Sequence, residues 1–213
     1  MDEETTVTET TVTETTATWS AQKITADAAN ELQIGAGIIV TGFDVASPVE
    51  PDDADIICNT TGDFTISSTH EDSDLFEDVN NAPTGTMEGR RIDSWTHTLS
   101  VTAVSVTLNV IKTALGAADA IGATGVRPRK QYVRADFKDI CWIGDMMEEN
   151  KILVAVMKNS VSTGGLTLTA TNKGKGNIGL EFQAHPSIAN PDVEPAEYYI
   201  LTKTVATNTT QGQ

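Results

Sequence analysis

The chain has 213 residues, of which 30 are acidic and 14 basic, giving a formal net charge of −16. This length suits one domain with tails and can bury a substantial core. The acidic balance argues against wrapping nucleic acid, because phosphate binding requires clustered lysine and arginine. It leaves two alternatives open: charge that serves solubility or a salt-rich habitat, and an acidic surface past which DNA moves without sticking.

Compartment and redox chemistry follow from a few local features. No apolar run approaches the roughly 20 residues needed to span a bilayer, and residues 1–4 lack the basic and apolar regions of a signal peptide. We therefore expect a protein made and kept in a cytoplasm, with no membrane contact. Cys58 and Cys141 have no Cys-x-x-Cys spacing, which favours two buried free thiols over a disulfide.

The chain begins with a low-complexity segment. Residues 1–18 are rich in threonine and glutamate, repeat Thr-Thr-Val-Thr-Glu-Thr, and hold nothing that could form a core, so we predict a disordered tail. The folded domain is predicted over residues 19–201, with a polar tail over 202–213. Its first strand covers 32–43, where the glycines suggest a bulge or close backbone approach.

Two alternating strands flank an acidic excursion in the middle of the chain. A short strand over residues 56–59 leads into 63–69, and residues 90–101 return with the period of two that is typical of half-buried strands. Residues 70–89 between them are predicted to be a long exposed arm, because loops of about 20 residues inside compact domains are usually functional or disordered. Apolar residues then recur at helical spacing from Val106 to Leu115, and Gly116 is placed to end that helix.

The arm has few residues able to anchor a contact. Its acidic side chains and its Asn, Pro and Gly residues leave it no core, so we expect it to be mobile in a free subunit and ordered on assembly. Phe76 is the predicted hot spot, since a large aromatic carries such contacts best. The candidate contact residues are Glu71, Asp72, Leu75, Phe76, Val79 and Met87.

The second half of the chain predicts further strands and one basic patch. Strands are expected over residues 139–146, 152–157, 166–171, 178–184 and 198–201, with short turns between them. Many strands, one helix and no βαβ rhythm indicate a mainly β fold, a two-sheet sandwich or barrel with a flanking helix. The basic patch has two open interpretations, nucleic-acid binding or contact with a neighbouring acidic surface, and composition favours the second. It consists of Arg127, Arg129, Lys130 and Arg134.

No catalytic, cofactor or metal site is predicted. His70, His97 and His185 are not at metal-ligand spacing from one another or from a cysteine. The acidic stretch at residues 52–55 lacks the central glycine and distant glutamate of an EF-hand. There is no Gly-x-Ser-x-Gly elbow. We expect a protein that is not an enzyme.

Several stretches, in this order and spacing, resemble the major tail proteins that build the tail tube of long-tailed, siphovirus-like bacteriophages. They are residues 55–66, the arm and return strand leading to 115–119, residues 136–145, and residues 158–165 continuing through 173–176 to Phe182. The resemblance covers roughly residues 32–201 and leaves the threonine-rich tail outside.

The resemblance implies a structural role in a virion. It implies a two-sheet β fold with a helix, shared with type VI secretion tube proteins, in subunits that form hexameric rings and stack into a hollow tube. The tube would surround a tape-measure protein, join tail-tip and tail-terminator proteins, and conduct double-stranded DNA during ejection. Assembly would occur in the host bacterial cytoplasm, and the final location would be the virion tail.

Two further expectations concern surfaces. The arm is the candidate ring-stacking contact, and one face of the flanking strands is the candidate lumen wall, because side chains alternate along a strand. The lumen candidates are Asp63, Asp93, Ser94, Thr96, Thr98 and Ser100. The alternative function is a capsid-decorating or adhesive virion-surface β-domain, which would stay monomeric or trimeric, whereas a tube protein polymerises with itself.

Overall fold

The computed structural model describes residues 27–28, 30–61, 64–170 and 176–203. The predicted tail at residues 1–18, the turn at 173–175 and Asp63 lie outside the described residues, as does most of the predicted C-terminal tail. The strands are β1 Gln33–Thr41, β2 Ile56–Asn59, β3 Thr65–Asp74, β4 Arg90–Ala103, β5 Ala118–Ile121, β6 Gly125–Pro128, β7 Lys138–Met146, β8 Lys151–Ser162, β9 Thr167–Thr169, β10 Asn177–Gln183 and β11 Ala196–Thr202. Within the described residues, one α-helix, α1, spans Leu108–Leu115, and 3-10 turns span Met87–Gly89 and Arg134–Asp136.

The strands form one large antiparallel sheet and one small hairpin. In the part of the chain that the structure describes, the large sheet has 9 strands in the order β2-β1-β7-β8-β10-β4-β3, with β11 added beside β8 and β9 beside β10. Strand β5 pairs with β6 in a sheet of 2 strands. The predicted mainly β fold with one flanking helix is confirmed.

The large sheet folds over itself because β8 belongs to both halves. Its first part pairs with β7 and β11, whereas Val161 and Ser162 pair with β10. Between these parts Asn159 has a φ of 47°, a left-handed conformation that asparagine tolerates better than most residues. Thr60, just after the edge strand β2, bridges to Ala103 at the end of β4, beyond the part of β4 that β3 covers. The sheet is therefore a sandwich that is joined like a barrel at one end.

The core lies between the two halves. Ile39, Leu99, Trp142, Met157 and Phe182 are all 0% exposed, and burying each such side chain contributes roughly 1.5–3 kcal/mol. The helix closes one end of this core, since its inward side chains Val110 and Ala114 are buried. The predicted helical stripe was too long: the helix starts at Leu108, where the Thr107 hydroxyl accepts a hydrogen bond from the Val110 amide, so Val106 lies outside it and is exposed.

A second apolar layer covers the other face of β1, β7 and β8. Val40, Cys141, Ile143, Val154 and Val156 are buried there, beneath Phe43, Val45, Tyr199 and Leu201. Strands buried on both faces have near-continuous apolar sequences instead of alternating ones. This explains the uninterrupted apolar run that the sequence shows along β7.

Both cysteines are free and buried, as predicted. Cys58 lies opposite Ile39 and Cys141 opposite Val40. Because consecutive residues of β1 face opposite sides of the sheet, the two thiols are separated by the sheet itself. Burial raises the pKa of Cys58 to about 12 and that of Cys141 to about 11, so both remain protonated and unreactive at neutral pH.

The predicted close backbone approach in β1 is at Gly37. Its φ is 77°, and a Cβ atom added there would lie 2.5 Å from the Ile143 carbonyl oxygen and 2.7 Å from Trp142 Nε1. Trp142 Nε1 instead donates a hydrogen bond of 3.1 Å to the neighbouring carbonyl of Ala36. The glycine thus allows the β1 bulge to sit on the largest buried side chain.

Gly37→Ala is expected to destabilise the fold by about 2–5 kcal/mol, combining left-handed strain of about 1–2 kcal/mol with overpacking of about 1–3 kcal/mol. Gly42→Ala is the matched control, because its φ is 72° but nothing lies within 4 Å of its added Cβ. Urea denaturation followed by tryptophan fluorescence measures both. Equal losses in the two variants would show that the Trp142 contact contributes nothing.

Candidate assembly surfaces

The arm is a β-hairpin whose strands extend well into the predicted loop. The register of β3 on β4 continues from Thr65–Ser100 out to Asp74–Arg90. The expected loop over residues 70–89 was therefore wrong for residues 70–74, which are strand. The sequence does not reveal these strand residues, because neither face of the β3–β4 hairpin is fully covered near the tip. The alternation of apolar and polar residues that marks a half-buried strand is therefore lost there.

The arm tip, residues 75–89, is organised by Asp74. One carboxylate oxygen accepts the Phe76 amide at 2.9 Å and the other accepts the Gly85 amide at 2.6 Å. These bonds from Gly85 and Phe76, helped by the charge of Arg90, hold the pKa of Asp74 below its usual value. Gly85 has a φ of 76° and Asn81 one of 63°. The tip is therefore a folded turn built around a carboxylate.

Phe76, the predicted hot spot, is partly buried within the arm. A Cβ added to Gly89 would lie 2.9 Å from Phe76 Cδ2, so the ring packs on the arm's own backbone. The apolar side chains that face solvent are Met87, Val79 and Leu75, which are 83%, 52% and 55% exposed. Phe76 is better placed to brace the arm, and these three to make contacts outside it.

One face of the hairpin is lined by small polar side chains. Thr65, Ser67, Thr69 and Glu71 of β3 lie opposite Ser100, Thr98, Thr96 and Ser94 of β4, and Glu181 and Gln183 of β10 continue the row. No lysine or arginine occurs in this row within the described strands. The predicted lumen candidates Ser94, Thr96, Thr98 and Ser100 do share one face, while Asp93 lies at a register shift of the ladder.

The opposite face of the hairpin carries a polar cluster that the sequence did not predict. The buried ring of His97 contacts the Ser68 hydroxyl at 2.8 Å through Nδ1 and the Glu194 carboxylate at 3.3 Å through Nε2. The Tyr198 hydroxyl contacts Ser68 as well, and the Trp95 ring stacks on His97. The cluster links the base of the arm to β11. Glu194 and Tyr198 lie too far from His97 in sequence for any spacing signal.

The predicted basic patch is divided by the fold. Arg129 is held by Asp136 at 2.6 Å and by Asp119 at 3.1 Å, which fixes the β5–β6 hairpin against the 3-10 turn at Arg134–Asp136. Arg127, Lys130 and Arg134 are exposed. The hairpin was not predicted, because its short strands hold few apolar residues.

Within the described residues, no cluster of His, Cys, Asp and Glu side chains has the arrangement of a metal site. Across the same residues, every helix is too short or too polar to cross a membrane.

No protein-family model and no curated protein matches the chain. Among solved structures, it is similar to a chain in the virion of a native gene transfer agent (GTA) particle, with 10% identity, a TM-score of 0.39, and coverage of 77% of this chain and 95% of that one. It is also similar to a chain in the tail of an empty GTA particle of C6 symmetry, with 10% identity, a TM-score of 0.35, and coverage of 71% and 92%. At these TM-scores the similarities carry no functional argument.

Asp74→Asn is expected to loosen the arm tip without unfolding the domain, because the amide cannot accept both backbone bonds as a carboxylate does. Faster hydrogen exchange at the Phe76 and Gly85 amides measures the effect, and Asp78→Asn, in the same tip, is the control. Folding lowers the pKa of Asp74, so the ionised carboxylate stabilises the folded arm tip. This stabilisation is complete above the ordinary aspartate pKa of about 3.9 and is lost as pH falls through the lower pKa of the folded state. Unchanged exchange would exclude this role.

Proposed function

We propose that this chain is the tube subunit of a long-tailed bacteriophage tail, forming hexameric rings that stack into a hollow conduit for genomic DNA. The observation that carries the proposal is the β3–β4 hairpin. It combines a projecting tip, an unpaired strand edge and a face free of basic side chains. Each feature serves one requirement of a tube, and the family resemblance in the sequence supports their combination.

The ring contact is assigned to the strand edges. Among the described residues, β3 pairs only with β4, so the outer edge of its 10-residue length presents unpaired backbone groups. Such an edge is a template for pairing with another chain. An edge that meets a different surface of the next copy gives a heterologous contact, which closes when the rotation permits a ring.

The stacking contact is assigned to the arm tip. Leu75, Val79 and Met87 are exposed apolar side chains of the tip, and Glu71 and Asp72 lie in the strand that leads to it. Burying these side chains against the next ring stabilises the stack. Because the tip meets a different surface on the neighbouring copy, this contact does not close and repeats along the tube axis.

The lumen is assigned to the polar face of the hairpin. Duplex DNA carries one negative charge per roughly 1.7 Å, so a wall of serine, threonine and glutamate offers it no ion pairs. Before ejection the same wall would surround a tape-measure protein, and tail-tip and terminator proteins would cap the ends. The role is structural and non-enzymatic, in a virion tail assembled in the host cytoplasm.

Electron microscopy of the purified protein tests the proposal directly. Rings or striated tubes are the expected result. A species that remains monomeric or trimeric at high concentration and binds capsids would instead identify a decoration protein.

Met87→Ser is expected to raise the critical concentration for tube growth by about tenfold or more, because a buried methionine contributes roughly 1.5–3 kcal/mol. Folding should be unaffected, since the side chain is 83% exposed in the subunit. Light scattering measures growth. Ile188→Ser, which removes a side chain that is 99% exposed in another loop, is the control. Growth equal to that of the unmodified protein would place the stacking contact elsewhere.

Thr96→Lys combined with Thr98→Lys is expected to leave tubes intact and to slow or stop DNA delivery, because every ring would then hold cations against the passing phosphates. Delivery by virions carrying the variant is the measurement. Ala189→Lys with Asn190→Lys adds the same charge in an exposed turn and serves as the control. Normal delivery by the first variant would exclude these residues from the lumen.

A further inference from the structure

The lysines and arginines of the described residues fall into two groups. Some have an ion-pair partner, whereas those that form no ion pair with a described carboxylate lie on α1 or between Arg127 of β6 and Lys138 of β7, the stretch that also holds the paired Arg129. The paired residues are Arg90, Arg91, Arg129, Lys151, Lys158 and Lys203. The basic surface, as we name the second group, consists of Lys112, Arg127, Lys130, Arg134 and Lys138.

The basic surface is assembled from separate elements around a depression. Lys112 is on α1, Arg127 on β6, Arg134 in the 3-10 turn and Lys138 at the start of β7. A depression of about 190 Å³ lies among these elements, and its lining includes Lys112, Lys138 and the ion-paired Arg129 with Asp119 and Asp136. Tyr132 and Val133 are exposed side chains of the same stretch. The surface thus combines unpaired cations with two exposed side chains able to make apolar contacts.

The arm tip is distant from the basic surface. The tip precedes β4 at Arg90, whereas the depression is lined by Phe182, which pairs with Leu99 of β4. The strand from Arg90 to Leu99 spans roughly 30 Å at about 3.3 Å per residue. The arm tip is therefore too far from the basic surface of its own copy to contact it.

The chemistry of the arm tip complements that of the basic surface. Glu77, Asp78 and Glu88 are exposed, and none of them pairs with a described cation. The exposed Leu75, Val79 and Met87 lie in the same segment of the chain. Acidic and apolar groups of the arm tip thus match basic and apolar groups of the basic surface.

We propose that the basic surface of each copy receives the arm tip of a second copy stacked along the tube axis. This inference rests on the proposed function, and it names the surface that the arm binds. A contact between two different surfaces of one molecule leaves a free arm and a free basic surface at the ends of every stack. Growth can therefore continue in both directions.

Nucleic acid is the alternative ligand for a basic surface, and the structure favours protein. Arg129, in the middle of this stretch, is already neutralised by Asp119 and Asp136, which removes the central cation from contact with DNA phosphates. The exposed Tyr132 and Val133 gain nothing from a phosphate backbone, whereas they can pack against Leu75 and Met87 of an arm. Binding of duplex DNA depends on clustered lysine and arginine, and this cluster lacks its central free cation.

A charge-swap experiment tests this pairing. The first variant is Arg127→Glu, Lys130→Glu, Arg134→Glu; the second is Glu77→Lys, Asp78→Lys, Glu88→Lys; the third combines both sets. Each of the first two is expected to raise the critical concentration for tube growth at low salt by about tenfold or more, the effect of several surface ion pairs together. The third should recover growth to within about threefold of the unmodified protein, because the coupled changes compensate.

The control adds Asp52→Lys and Asp53→Lys to the first variant, which returns positive charge at a loop away from the arm and should not restore growth. Circular dichroism verifies folding, and Lys130→Glu alone replaces the first variant if the triple change prevents folding. Recovery by the control, or failure of the combined variant to recover, overturns the pairing.

The outcomes separate this inference from the proposed function. If the unmodified protein forms no assemblies, the tube proposal fails and the pairing fails with it. If tubes form and every charge variant grows normally, only the pairing is wrong. Normal growth of the first variant, with loss of retention on a duplex DNA column, would identify the basic surface as a nucleic-acid site.

Discussion

The fold depends on β8 serving two halves of the sheet with one continuous backbone. The strand can do this because Asn159 turns it through a left-handed conformation, and that turn is held from both sides. Asp139 accepts the Asn159 amide at 2.9 Å, and the Asn159 side chain donates to the His185 carbonyl at 3.2 Å. Beyond this turn β8 pairs with β10, so that β10 and β4 lie over β7 and β1. The inner side chains of the two halves of the sheet then pack together as one core.

This folding-over also determines where the arm emerges. The core covers β4 from Ala103 back to His97, and the side chains before that point gain exposure along the strand. His97 marks the boundary: it is buried, yet its ring contacts the partly exposed Glu194. The distal ladder continues beyond the boundary because backbone pairing to β3 satisfies its amides without a core. Strand β4 thus packs in the core over its second half, from His97 to Ala103, whereas its first half remains exposed and available for contacts.

The strands of the core were predictable from sequence, and the arm was predictable only in part. The alternation of apolar and polar residues in β10 and the apolar run in β7 predict which side chains of these strands are buried. The spacing of Val110 and Ala114 does the same for the helix. The strand residues His70–Asp74 carry no such signal, since nothing covers them, so they were predicted to be loop. The role of Phe76 depends on its contact with Gly89, and the His97 cluster depends on Glu194 and Tyr198. Contacts between residues that are far apart in sequence leave no local sequence pattern from which they could be predicted.

Charge imposes a condition on the proposed assembly. Subunits that each carry a net charge of −16 repel one another, and the repulsion between exposed groups extends over a Debye length of about 8 Å at physiological salt. Attraction between copies must therefore act at shorter range, through paired strand edges, buried apolar side chains and local meetings of opposite charge. Among the described residues, the charges are separated in a way that suits this condition, because the unpaired cations lie around one depression while the exposed acids of the arm lie roughly 30 Å away along β4. Copies aligned along the same axis bring unlike charges together, whereas copies in other orientations bring acids against acids, so the repulsion that opposes random association also selects the orientation of the stack.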